Sequence, residues 1–169
     1  IPADGLIEII TFNEEGKGKV VTDLPFGSYY VQELSTNSAY IISDKKFPIT
    51  FEYAGQNTAT VHIEANDGEA IQNDIIYGSV SGKKSDEDGN ALGGAIIGIF
   101  KAGTTEFTTE NAIAATTSAD GGSFSFENVP YGNWIIHEIK SPTGYVLSEE
   151  EIPVTISEIG EVVEIELVN

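Results

Sequence analysis

The sequence predicts an all-β chain of tandem antiparallel β-sandwiches, and three observations carry that prediction. Apolar and polar residues alternate with a period of two along the hydrophobic stretches, as in strands with one buried face. Turn signals rich in Gly, Pro, Asn and Asp separate those stretches at short intervals. One block is also written twice. Leu24-Pro25-Phe26-Gly27-Ser28-Tyr29-Tyr30-Val31-Gln32-Glu33-Leu34 returns 105 positions later as Val129-Pro130-Tyr131-Gly132-Asn133-Trp134-Ile135-Ile136-His137-Glu138-Ile139. Phe47-Pro48-Ile49-Thr50-Phe51 returns at the same offset as Ile152-Pro153-Val154-Thr155-Ile156, so two copies of one folding unit are present.

Taken in order, the first copy carries turns at Glu15-Gly16-Lys17-Gly18, Pro25-Phe26-Gly27, Ala54-Gly55-Gln56-Asn57 and Asn66-Asp67-Gly68. A fresh strand opens at Gly78-Ser79-Val80-Ser81-Gly82-Lys83-Lys84, which places a domain boundary at Tyr77-Gly78. In the second copy, Ser123 to Phe126, Trp134 to Ile139, Ile152 to Ile156 and Val163 to Asn169 alternate as strands. Turns fall between them at Asp88-Gly89-Asn90, Asp120-Gly121-Gly122, Pro130-Tyr131-Gly132 and Ser141-Pro142-Thr143-Gly144. A short helical turn is expected near Thr108 to Ala115. Two domains follow, residues 1–77 and 78–169. By the repeat, Ile1 corresponds to Glu106, so the first domain lacks the counterparts of its opening strands and reads as truncated.

Composition narrows the function classes. Apolar residues make up 40% of the 169 and charged residues 21%, a folded rather than a disordered balance. Eight basic against 27 acidic residues give a net charge of −19, which opposes nucleic-acid or anionic-membrane partners. Cysteine is absent, so disulfides and thiolate metal sites are excluded. No apolar run is long enough to span a bilayer. The chain starts at Ile1 rather than Met and reads as part of a longer, processed protein.

Strand parity singles out three residues in the second copy. Lys84 shares a face with Val80 and Gly82, Glu138 with Trp134 and Ile136, and Asn169 with Ile165 and Leu167, while Glu164 and Glu166 face water. One reading is a partly buried Lys–Glu salt bridge beside a polar strand end. The other is covalent. An apolar site disfavours the charged forms of amine and acid alike. The neutral Lys84 amine then attacks the Asn169 carboxamide, and Glu138 in its acid form polarises the amide and shuttles protons to departing ammonia. The product is an isopeptide bond, made once and without turnover.

The run Gly78-Ser79-Val80…Lys84-Ser85-Asp86-Glu87-Asp88-Gly89 followed by Leu92-Gly93-Gly94-Ala95 resembles the opening of a Cna B-type, SpaA-like domain. Pro130-Tyr131-Gly132…Glu138…Ser141-Pro142-Thr143-Gly144-Tyr145 is similar to that family's second signature, and a closing strand ending in Asn169 to its third. The resemblance covers Gly78 to Asn169 well and Gly5 to Tyr77 in part. It implies an immunoglobulin-like, prealbumin-like sandwich and a Lys84–Asn169 link with Glu138 as its catalyst. The pair Lys83-Lys84 stands where the family has one lysine. Parity favours Lys84, and Lys83 stays open. In the first copy Glu33 matches Glu138, and Asn73 lies five residues before Gly78, the family's spacing for its asparagine. The matching lysine is not in this sequence.

The resemblance further implies a stalk or spacer module of a cell-wall-anchored Gram-positive surface adhesin or pilus subunit. Its partners would be neighbouring domains of the same protein, and it would lie outside the cell at the wall. The alternative is an adhesive module that recognises a host protein or glycan through loops such as Thr104 to Ala115 or Asn37 to Lys46. A turnover enzyme has no converging nucleophile, base and open site to support it. Asp86-Glu87-Asp88-Gly89-Asn90 lacks the spacing and closing glutamate of a calcium loop and reads as a solvated turn. His62 is read as neither ligand nor base, and so is His137, which alternates outward beside Glu138. Tyr29, Tyr30, Tyr131 and Trp134 read as core packing before they read as a sugar platform. No metal and no cofactor are expected.

Overall fold

Alternation becomes strand wherever a second strand stands ready to cover it. The computed structural model describes residues 4–56 and 61–169. Asn57, the last residue of the expected Ala54 to Asn57 turn, and the first three residues of the expected first domain lie outside the described residues. Among the described residues the order is β1 (Gly27–Gln32), β2 (Lys46–Phe51), a 3-10 turn (Ala65–Gly68), β3 (Tyr77–Ser85), β4 (Ile96–Lys101), β5 (Ala114–Thr117), β6 (Ser123–Pro130), β7 (Gly132–Lys140), β8 (Ile152–Ile156) and β9 (Val162–Val168). The chain is all-β, as its alternation predicts.

Contacts divide it into two compact units. The first holds the residues up to Glu33 and Asp44–Ile71, with β1 and β2 as an antiparallel pair in the register Tyr29↔Ile49 and Val31↔Phe47. Phe47, 5% exposed, is its one buried hydrophobic side chain among the described residues. The second holds Leu34–Ser43 together with Gln72–Asn169. Segment 34–43 joins it through backbone bonds Ile41 N–H to Asp74 O (2.8 Å) and Ile76 N–H to Ala39 O (2.9 Å).

In the second unit a three-stranded sheet, β6-β3-β9, stands with a four-stranded sheet, β5-β4-β7-β8. Their inner faces share one core, with Val80 and Leu167 from one sheet, Ile97, Ile99, Ile136 and Ile156 from the other, and Phe124, Phe126 and Trp134 among them. Gly82 points inward, and the Phe124 ring occupies the space that a Cβ there would need. One pairing is not antiparallel: β3 and β9, the opening and closing strands of this domain, run parallel with Lys84↔Leu167 and Ser85↔Val168 in register. That pairing brings the carboxyl ends of both strands to the same end of the sandwich.

The repeat is legible in atomic detail. Tyr29 Oη donates to Pro25 O at 2.7 Å, and Trp134 Nε1 donates to Pro130 O at 2.9 Å, the same corner closed by equivalent residues. Gly132 takes φ +138° there, a backbone conformation that L side chains rarely adopt. Of the aromatics read as core, Trp134 is buried and Tyr29 and Tyr131 are half-buried, whereas Tyr30 is exposed with Lys46 Nζ 4.2 Å from its ring centre.

Two local expectations gain detail. Near Thr108 a single turn spans 109–111, with Ala112 N–H donating to Thr108 O at 3.1 Å, and it ends where Ala114 and Ala115 pair with Ile99 and Gly98 to begin β5. His137 does alternate away from the sandwich core, yet it is 5% exposed rather than open to water. The 102–113 connection folds over the outer face of the sheet, and Phe107 stacks on the imidazole with centroids 4.0 Å apart. Phe107 also meets Phe100 edge-on at 5.0 Å, so the outer face carries a small apolar cluster of its own.

Candidate functional site

Alternation on three strands brings Lys84, Glu138 and Asn169 to one place. Lys84 comes from β3 and Glu138 from the middle of β7, so they belong to opposite sheets, and both are 0% exposed. Asn169 follows β9 and is anchored by its own N–H to Ser85 O at 3.0 Å. Lys83, one residue earlier than Lys84, is exposed on the other face of β3. Two amino acids adjacent in sequence thus occupy opposite environments.

Glu138 is the centre of the site. Its Oε2 accepts from Asn169 Nδ2 at 2.9 Å and from the Ser148 backbone N–H at 2.8 Å. Its Oε1 lies 3.9 Å from Lys84 Nζ, within ion-pair range but beyond hydrogen-bond length. Lys84 Nζ instead donates to Leu167 O at 3.1 Å and Ser85 O at 3.3 Å. Asn169 Nδ2 also donates to Val146 O. Because that carbonyl only accepts, it fixes which end of the amide is nitrogen. The Glu138 carboxyl therefore meets the amide nitrogen, the atom that would leave as ammonia.

Two acceptors here have no hydrogen-bond partner among the described residues, Glu138 Oε1 and Asn169 Oδ1, both buried. Such groups cost about 1–3 kcal/mol each when left unmade, so their gathering at one site asks for a chemical reason. Burial also pushes the Lys84 amine below its ordinary 10.5, against the opposing pull of Glu138 and the weaker pull of Glu150. A lysine whose charge is disfavoured beside a carboxyl and a carboxamide is chemically poised for acyl transfer to nitrogen.

The residues read from the first copy are placed differently. Glu33 lies just past the end of β1, half-buried, in the first unit. Asn73 belongs to the second unit, where its Nδ2 donates to Thr36 Oγ1 at 2.7 Å. Sequence reasoning missed Val146 and Ser148, which act through backbone atoms, and Glu150, which acts through charge. The expected solvated turn after β3 is present: Asp86 accepts from the N–H groups of Asp88 and Asn90 and from Asn90 Nδ2, and Gly89 takes φ +81°. Among the described residues no three His, Asp or Glu side chains gather as metal ligands would.

Comparison with known proteins agrees with this architecture. The SpaA family model, a prealbumin-like fold domain, matches residues 4–68 and again 78–169. Among solved structures the chain is similar to the Bacillus anthracis TIE protein, at 23% identity and TM-score 0.68, over 94% of this chain and 27% of that one. It is also similar to the major pilin subunit of Bacillus cereus, at 23% identity and TM-score 0.49, over 62% of this chain and 35% of that one. The group B streptococcus pilus 2b backbone protein matches at 16% identity and TM-score 0.46, over 73% of this chain and 48% of that one. The chain thus spans less than half the length of each of these structures. No match is found among the curated proteins. Two matches of one family model over most of its length place this chain in the SpaA family of prealbumin-like fold domains.

Proposed function

We propose that the chain is a structural module of a wall-anchored Gram-positive surface protein or pilus subunit, whose second domain locks itself with a Lys84–Asn169 isopeptide bond. The observation that carries this reading is the buried constellation itself. A fully buried lysine faces a fully buried glutamate, and the glutamate holds the asparagine's amide nitrogen at 2.9 Å. A noncovalent salt bridge would be expected to satisfy its acceptors; this one leaves Glu138 Oε1 and Asn169 Oδ1 without a hydrogen bond among the described residues.

In the proposed reaction the neutral Lys84 amine attacks the Asn169 amide carbon. Glu138 accepts a proton from Nζ and returns one to Nδ2 as the old C–N bond breaks. One C–N bond forms, one breaks, and ammonia leaves. The net charge and acid-rich surface suit an exposed, soluble stalk. The division at Tyr77-Gly78 belongs to the same proposal, and the 105-residue offset of the repeat and the two matches of the family model, over 4–68 and 78–169, support it.

The test is the intact mass of the denatured protein beside Glu138→Ala. A deficit of one ammonia in wild type and none in the variant is expected. Both chains at their calculated masses would leave a noncovalent sandwich.

A further inference from the structure

The connection between β7 and β8, residues 141–151, has no regular structure, yet it reaches the site at two points and is tied down at a third. Ser148 N–H donates to Glu138 Oε2. Val146 O accepts from Asn169 Nδ2. Between Gly144 and these contacts, Tyr145 Oη donates to Asp86 Oδ2 at 3.3 Å, fastening the segment to the turn that follows β3. The side chain of Val146 has no part in this, being 86% exposed, and the half-buried Ser148 hydroxyl accepts from the Glu150 N–H at 3.5 Å within the connection itself.

We infer that this connection is a positioning strap for the cross-linking reaction, in which the Ser148 N–H orients Glu138 and the Val146 carbonyl orients the Asn169 leaving nitrogen. The inference rests on the reading that the Lys84–Asn169 bond forms. With the Ser148 N–H and Asn169 Nδ2 both donating to Oε2, that oxygen's accepting capacity is taken, and Oε1 faces Lys84 Nζ with no other partner. The proton leaving Nζ is thereby directed to Oε1. Val146 O and Glu138 Oε2 together hold the two N–H bonds of the amide nitrogen, so the carboxamide cannot rotate without giving up both.

The strap is tested on the full chain made by cell-free synthesis, sampled over time by denaturing intact mass. Ser148→Ala keeps the N–H and should lose ammonia at the wild-type rate. Ser148→Pro removes that donor and also fixes φ at this position. It should slow the loss about tenfold or more, since a hydrogen bond to the Glu138 carboxyl is forfeited. Two glycines inserted after Gly144 slacken the strap while leaving both backbone contacts chemically available, and should also slow the reaction. If Ser148→Pro does not fold, as judged by circular dichroism, the insertion variant decides: a slower reaction supports the strap and an unchanged one overturns it. A wild-type rate in a folded Ser148→Pro overturns the strap while leaving the bond. A wild type that loses no ammonia overturns both.

Discussion

Replacing Asn169 by alanine removes the acyl group and leaves the Lys84–Glu138 pair in place, so it separates the covalent link from the buried charges. The bond would close the chain from residue 84 to residue 169, a loop of about 85 residues, worth about 4–5 kcal/mol if it restricts the unfolded chain as a disulfide does. Asn169 Nδ2 leaves as ammonia in that reaction, so its hydrogen bonds to Glu138 and Val146 add nothing to the cross-linked protein. For a domain of 60–100 residues each kcal/mol moves the melting temperature by about 4–8 °C, so the second domain should melt at least about 16 °C lower. Thermal scans of both full chains by circular dichroism, with intact masses alongside, make the measurement. In a wild type that kept its Nδ2, losing these two hydrogen bonds, about 1–2 kcal/mol, would account for a shift of about 4–16 °C on the same scale. A shift inside that range, from a wild type at its calculated mass, would refute the argument.

The remaining predictions use the same site. Lys83→Ala should keep the ammonia deficit and Lys84→Ala should abolish it, because Lys83 is exposed and Lys84 buried; the reverse pattern by intact mass would reassign the nucleophile. In the uncross-linked Asn169→Ala protein the folded Lys84 amine sits below 10.5, so the unfolded state binds more protons between the folded value and 10.5. Stability should therefore rise with pH through that window, and the urea midpoint should climb as pH approaches 10.5; a flat or falling midpoint would contradict the burial effect. Gly82→Ala should drive its new Cβ into the Phe124 ring, destabilise the domain by about 1–3 kcal/mol and lower cross-link yield, read by urea unfolding and mass.

Much of the site was legible because strand parity is a strict code. Val80, Gly82 and Lys84 on one strand, and Trp134, Ile136 and Glu138 on another, can face the core only together, so three inward polar residues were readable without coordinates. The repeat added the corner at Pro130 and Trp134. What parity does not report is what covers the second face of a strand. His137 alternates outward as expected, and only the descent of Phe107 from a connection some thirty residues earlier buries it. Ser148 and Val146 were illegible for a different reason: every residue owns an N–H and nearly every one a free carbonyl, so a backbone contribution leaves no mark in side-chain identity. The parallel pairing of β3 with β9 joins the two ends of a domain, and local patterning carries no information about that.

That parallel pairing also orders events. Lys84 sits on the opening strand and Asn169 just after the closing one, so their meeting depends on the long-range pairing of β3 with β9. Before any bond forms, the fold holds a buried amine whose charged form is disfavoured, and two acceptors with no hydrogen bond among the described residues, on the strength of a core that includes Val80, Ile97, Ile136 and Leu167. Bond formation would turn the amine into a neutral amide and remove that burden, so the domain would be least stable just before locking. Once locked, tension applied between Tyr77 and Asn169 would enter along β3 as far as Lys84 and cross directly to Asn169. The chain from Ser85 to Val168, with both sheets, would lie outside the loaded path. A stalk built this way would resist extension through one bond, and its hydrogen-bonded sheets would serve to bring that bond's two ends together.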